Sequence, residues 1–376
     1  MKFSDIIGHK DIAAGLRKMV DEGTLPHAVL FMEKYGNGAL PLALATIQYV
    51  FCRNRKDGDS CGSCHSCHTV SRLAHPDLHF AFPVNTSSII NGSSGKTDVD
   101  EFYPLWRTLV SENPYFSEQE FYNALGIENK LGIINVNQAN GIMRKLSLKS
   151  YEGGEKIMLI MFPERMNAEA ANKLLKSIEE PVPGTFYFMI THAPDKMLTT
   201  ILSRCRKIEI PPVEINILAE ELMKRRGIDK SSAAFWAGCS GGSYGKAVAL
   251  MKADKNGSEY FDIFLRLMSA GIKKDLGSMF PIWNEIAGMG KQLQKDFCSE
   301  SLDLIRKSYM ISLGMENIAY ISEYQREKLK HLSGLLKKNF YINGYSDFND
   351  AIKYIERNVN PKFIFCDLCN RLYYNC

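Results

Sequence analysis

Short apolar runs of strand length alternate with helical patterns over the first 210 residues, and then the alternation stops. The runs are Ala28-Val29-Leu30-Phe31, Leu78-His79-Phe80-Ala81-Phe82, Lys156 to Phe162, Phe186 to Thr191 and Lys207-Ile208-Glu209-Ile210. Between them, Ile12, Leu16 and Met19-Val20 recur at helical spacing, a helix opens at Leu40 with Pro41 in its first turn, and helical patterns cover 137–148 and 167–180, the last ended by Pro181. Strands that alternate with helices predict an α/β fold with a parallel sheet flanked by helices. Pro211-Pro212 closes this region. Beyond it the chain reads as wholly helical: a small unit over about 213–255, with a turn from Gly238 to Gly245, then longer amphipathic helices over 256–376. Residues 84–130 are polar and irregular at first and aromatic later, which reads as a surface insertion.

The composition supports burial of sizeable cores: 376 residues, 45% hydrophobic and 23% charged, far from a disordered tail. Forty-six basic residues against 42 acidic ones leave a net charge of +4, so overall charge does not argue for nucleic-acid binding. No run of about 18 apolar residues is present, and Met1-Lys2-Phe3-Ser4-Asp5 lacks an apolar signal core, so a cytosolic (cytoplasmic) protein is expected. In that compartment ten cysteines point to thiols or a metal site rather than disulfides.

Cys52, Cys61, Cys64 and Cys67 give C-x8-C-x2-C-x2-C. Closely spaced thiolates can wrap one ion tetrahedrally, and Gly62-Ser63 eases the turn between two of them. Four thiolates leave no open position, so the expected site is structural, with zinc favoured and an iron–sulfur cluster as the rival. His65 and His68 are expected at the surface. Cys366, Cys369 and Cys376 are expected to be small buried apolar side chains.

A working phosphate loop reads G-x-x-x-x-G-K-S/T. Here the corresponding stretch is Glu33-Lys34-Tyr35-Gly36-Asn37-Gly38-Ala39-Leu40. Gly36 and Gly38 can keep the turn, but Ala39 takes the place of the phosphate-binding lysine and Leu40 that of the magnesium-binding hydroxyl. After the strand at 157–160, where an ATPase places carboxylates for magnesium and water, the chain has Met161 and Phe162. Hydrolysis at this pocket is therefore expected to be absent. Gly95-Lys96-Thr97 imitates the end of a phosphate loop, but Ile90 stands at the first glycine position and Asp98-Val99-Asp100-Glu101 follows, so a surface loop is the expected account.

Ser203-Arg204-Cys205 lies between two strand runs. A guanidinium there can project from the sheet toward a neighbouring molecule and stabilise a transferring phosphoryl group, or it can simply make a local salt bridge.

Several strings together resemble the AAA+ clamp-loader subunits of bacterial DNA polymerase III: Phe3-Ser4-Asp5-Ile6-Ile7-Gly8-His9, Leu25-Pro26-His27-Ala28, the four cysteines, Asn172-Lys173-Leu174-Leu175-Lys176-Ser177-Ile178-Glu179-Glu180-Pro181, Ser203-Arg204-Cys205, and Ile355-Glu356-Arg357-Asn358-Val359-Asn360-Pro361-Lys362. The resemblance implies an AAA+ core at 1–212 with a zinc module at 52–67 and an insertion at about 84–130, an all-α lid at 213–255, and an all-α collar, or oligomerisation, domain at 256–376. It implies a five-subunit ring with gamma/tau and delta subunits that loads the sliding clamp on primed DNA. This member would not hydrolyse ATP, would be no enzyme by itself, and would offer Arg204 to the ATP on the neighbouring gamma/tau subunit. Thr191 and Lys246 fall at the family's two sensor positions. The competing readings are a gamma/tau-like ATPase, a self-sufficient NTPase using Gly95-Lys96-Thr97, and a zinc-stabilised binding protein.

Overall fold

The computed structural model describes residues 1–90, 99–127, 132–256, 259–319, 321 and 323–376. They form two compact units, Met1–Val248 and Ala249–Cys376. The first begins with α1 (Lys10–Asp21), β1 (Ala28–Met32), α2 (Ala39–Phe51), α3 (His65–Ser71) and β2 (Leu78–Ala81). Next come α4 (Val99–Glu112), α5 (Glu118–Ala124), α6 (Val136–Ser147), β3 (Lys156–Met161), α7 (Ala168–Glu179) and β4 (Thr185–Thr191). A short α8 (Thr199–Leu202) leads into β5 (Arg206–Glu209), α9 (Ile215–Arg226) and α10 (Lys230–Ser240) follow, and α11 (Tyr244–Asn256) begins in this unit and continues past its end at Val248.

The five strands pair in parallel in the order β2-β3-β4-β1-β5. Leu30 stands opposite Met189 on one side and Lys207 on the other. Side chains alternate across this sheet, so each face gathers its own core. Val29, Phe31, Ile157, Leu159, Met161, Phe188 and Ile190 pack with α2, α4 and α5. Ala28, Leu30, Met158, Ile160, Tyr187 and Met189 pack with α6, α7 and α8. Cover on both faces explains why β3 reads Lys-Ile-Met-Leu-Ile-Met with every residue buried. This is the parallel-sheet core that the AAA+ resemblance implies.

Helix α2 is buried almost all round, and its polar groups are satisfied accordingly. Thr46 donates to the Leu42 carbonyl at 2.7 Å, and Gln48 donates to Ser60 while accepting from the Met1 amine, both at 2.8 Å.

The early part of the insertion, 85–90, is half-buried to exposed, but its aromatic part is not a surface feature. Phe102, Trp106 and Val110 lie on one face of α4, with Phe121 on α5, and all four are buried in the same core as β1, β3 and α2. Spacing of i, i+4, i+8 makes this an amphipathic helix; Pro104 and the preceding Ser/Asn/Gly-rich stretch hide the pattern.

The second unit contains seven helices among the described residues: α12 (Glu259–Ile272), α13 (Leu276–Gly288), α14 (Lys291–Ser312), α15 (Glu316–Ala319), α16 (Glu323–Leu335), α17 (Lys338–Glu356) and α18 (Pro361–Asn375). Phe264, Phe297, Phe340, Phe348 and Leu372 centre its core. Cys298, Cys369 and Cys376 are buried there as small apolar side chains, and burial pushes each thiol up to about 12. Among the described residues no helix is long and apolar enough to cross a membrane.

Candidate functional site

The turn that follows β1 carries the two glycines expected of a degenerate phosphate loop. Gly36 and Gly38 both adopt positive φ, 58° and 121°, which glycine alone accepts readily, and Gly38 caps the N-terminus of α2. Such a helix start presents free N–H groups to an anion. Here the anion is internal. One carboxylate oxygen of Glu33 accepts from the Gly38 and Ala39 N–H groups at 2.8 and 3.0 Å. Its other oxygen faces His192 Nε2 at 3.3 Å. Ala39 and Leu40 are buried, Met161 and Phe162 likewise, and the Phe162 ring packs edge-on against His192 at 5.1 Å.

The pair is deeply buried. Burial alone would push the Glu33 carboxyl up, but the hydrogen bond and charge of His192, with the Ala39 and Gly38 N–H groups, hold it below its ordinary value. Burial would push His192 down, but the bond to and charge of Glu33, helped by Glu164 and Glu118, raise it. The sign of each shift fixes a pH window. A raised histidine contributes stability fully below its ordinary value of 6.5 and loses it as pH rises past the raised one. A lowered carboxyl contributes fully above its ordinary value of 4.5 and loses it as pH falls past the lowered one. The pair should therefore stabilise the fold most between pH 4.5 and 6.5. Urea midpoints of the wild type and His192→Gln should differ most in that window and converge toward alkaline pH. A difference independent of pH would contradict the ion pair.

The sensor positions do not face an open site. Thr191 is fully buried and its Oγ1 accepts from the Ala193 N–H at 3.2 Å. Lys246 is exposed at the start of α11. Gly95, Lys96 and Thr97 lie outside the described residues.

The four cysteines converge from the end of α2, the loop after it and the start of α3. Their sulfurs all lie within 4.8 Å of one another. A tetrahedral ion with Zn–S bonds of about 2.3 Å requires S···S edges of about 3.8 Å, and the Cys61 and Cys67 sulfurs are 3.8 Å apart. The Cys61 N–H donates to Cys52 Sγ and the Cys64 N–H to Cys61 Sγ, both at 3.3 Å. Backbone N–H groups of Ser63 and Cys64 pull the Cys61 thiol down to about 5, while burial pushes Cys67 up. The donor set, spacing and N–H···S bonds fit a tetrahedral dication, so the cluster could hold zinc. His65 and His68 are exposed, as expected. The module is tied to the chain's start, since Asp59 accepts from the Phe3 and Ser4 N–H groups at 3.1 and 2.9 Å.

Arg204 sits just before β5, an edge strand. Cys205 beside it packs against the core, its thiol pushed up to about 11 by burial. This anchors the turn and leaves the arginine exposed. The guanidinium donates to the Thr200 carbonyl at 2.9 Å and Ser203 Oγ at 3.2 Å, and pairs with Glu179 at 2.5 Å. Both partners of that pair are more than a third exposed. Sequence reading missed Glu33, His192 and Glu179. A carboxylate beside a phosphate-loop turn that lacks its lysine was the available signal for Glu33; nothing local marked the other two.

Fold and site together define a parallel-sheet α/β core whose glycine turn after β1 lacks the phosphate-binding lysine and which carries a four-thiol module. The chain belongs to the family described as DNA polymerase III, delta subunit, whose sequence pattern matches residues 8–214. It is similar to the DNA polymerase III subunit delta′ of Bacillus subtilis, 26% identical over 210 residues, or 56% of this chain and 50% of that protein. It is also similar to subunit delta′ of Haemophilus influenzae, 29% identical over 197 residues (52% and 46%), and of Escherichia coli, 25% identical over 228 residues (61% and 55%). The matched stretch spans about half the length of these relatives.

Proposed function

We propose that this chain is the non-hydrolysing delta prime subunit of a DNA polymerase III clamp loader. It joins gamma/tau and delta subunits in a hetero-pentameric ring that places the sliding clamp on primed DNA. Residues 1–212 form the core, 213–255 the lid and 256–376 the collar, and one zinc ion on Cys52, Cys61, Cys64 and Cys67 has a structural role. Arg204 acts in trans on the ATP of the neighbouring gamma/tau subunit. The observation that carries the reading is the occupied anion cradle: Glu33 already holds the Gly38 and Ala39 N–H groups. A polyphosphate brought to that turn would meet a buried carboxylate, with no lysine, hydroxyl or acid–magnesium pair to offset the repulsion.

Purified chain with magnesium and ATP should show no turnover above background. Magnesium-dependent hydrolysis by the isolated chain would remove the reading, and its loss in Lys96→Ala would transfer the activity to Gly95-Lys96-Thr97.

Glu179 is a parking partner for Arg204 in the free subunit. An exposed ion pair is worth about 0–1 kcal/mol, so exchanging it for a phosphate costs little. In a reconstituted complex, Glu179→Gln should change ATP turnover by less than about fivefold. A loss as large as that of removing Arg204 itself would make Glu179 part of the reacting site instead.

A further inference from the structure

The space enclosed by the phosphate-loop turn, the loop at residues 7–9 and the start of α11 is filled by Tyr115, which lies between α4 and α5. The side chain is buried. Its hydroxyl accepts from the Ile7 N–H at 3.2 Å. Its ring lies beside Gly38, where a Cβ would come within 3.3 Å of it, and meets the Tyr244 ring edge-on at 4.9 Å. Its carbonyl oxygen lies against Gly36 and Gly245, which themselves touch: a Cβ on Gly36 would be 2.9 Å from the Gly245 Cα. Around this point α11 is fastened to the turn directly. The Gly245 N–H donates to the Gly36 carbonyl at 3.2 Å, and Ser243 Oγ donates to the Tyr35 carbonyl at 2.6 Å.

A ligand of a phosphate loop lies beyond the carboxyl end of the preceding strand, with its phosphates on the helix N-terminus. Glu33 takes up the phosphate end of that position, and Tyr115 the adjoining space between the turn, the 7–9 loop and α11. We propose that the insertion supplies a built-in ligand: Tyr115, together with Glu33, replaces nucleotide in the pocket and holds the start of α11 on the phosphate-loop turn whether or not nucleotide is present. A diffusible ligand leaves and lets the elements it bridges separate, whereas a side chain of the same polypeptide does not. At Gly36 and Gly245 the two backbones touch, so nothing can enter between the turn and the start of α11 at that point. The proposal explains why an aromatic insertion is buried in this unit, and it stands independently of any role of Arg204 in trans.

Hydrogen exchange on the full chain tests it. Tyr115→Ala should speed exchange at residues 36–39 and 243–247 by about tenfold or more and leave β3 and β4 at wild-type rates. Millimolar magnesium-ATP should not slow exchange at those segments in the wild type. If Tyr115→Ala does not fold, Tyr115→Leu, which loses the phenol on Ile7 and part of the ring's volume, is read in the same way. Wild-type rates at 36–39 and 243–247 in the variant would overturn the proposal. So would equal acceleration across β3 and β4, which would make Tyr115 an ordinary core residue, and so would protection of those segments in the wild type by nucleotide.

Discussion

Replacing Arg204 with alanine should lower the single-turnover rate of the ATP site that this subunit faces by about 10³-fold or more, in a complex reconstituted with gamma/tau and delta and supplied with clamp and primed DNA. The magnitude follows from what a trans guanidinium does: it meets charge that develops only in the transition state, from a planar fork of donors that is always charged. Loss of fold is not the expected cause. Arg204 is exposed and its bond to Glu179 is a surface pair, while the anchoring of this turn comes from Cys205 and Ile201 in the core. Gel filtration should show the complex still assembling. Arg204→Lys should recover only part of the rate, because an ammonium keeps the charge but not the fork. An unchanged rate in an assembled Arg204→Ala complex would end the trans-acting role.

The parallel sheet was legible because strands covered on both faces must be apolar along their length, and the runs at 157–162 and 186–190 are. The cysteine module was legible because its ligands lie within sixteen residues of one another, so sequence spacing and spatial spacing nearly coincide. Burial of the insertion was not, because Pro104 and a polar lead-in conceal a helix whose apolar face depends on Phe102, Trp106 and Val110. The ligand-like roles were further out of reach. Tyr115 meets Gly36, Gly38 and Gly245 across long stretches of chain, and Glu179 meets Arg204 from a different element, so only the fold brings them together. What the sequence could say about the phosphate loop was which groups were missing. What it could not say was that Glu33 stands in the vacated place, five residues from the N–H it binds.

The second large effect concerns the metal. Metal analysis should give one zinc per chain, and Cys64→Ser should abolish that content and unfold the 52–71 segment at 37 °C. Structural zinc sites in small finger peptides bind with apparent free energies of about 10–16 kcal/mol, as much as the roughly 5–15 kcal/mol that holds a whole domain together. Between α2 and α3 the module contains no strand of the sheet, and apart from the sulfur cluster it is held by side-chain links such as Asp59 to the N–H groups of Phe3 and Ser4, Gln48 to Ser60 and Arg17 to the Gly58 carbonyl, while Val70 of α3 packs into the core. Those links set the reach of the damage. Hydrogen exchange should quicken at residues 1–4 and 52–71, whereas β3 and β4, buried on both faces of the sheet, should keep their protection. A strong visible absorption band from bound iron and sulfide would replace zinc with an iron–sulfur cluster, and a Cys64→Ser chain that keeps both its metal and its exchange pattern would show that Cys64 is not a ligand.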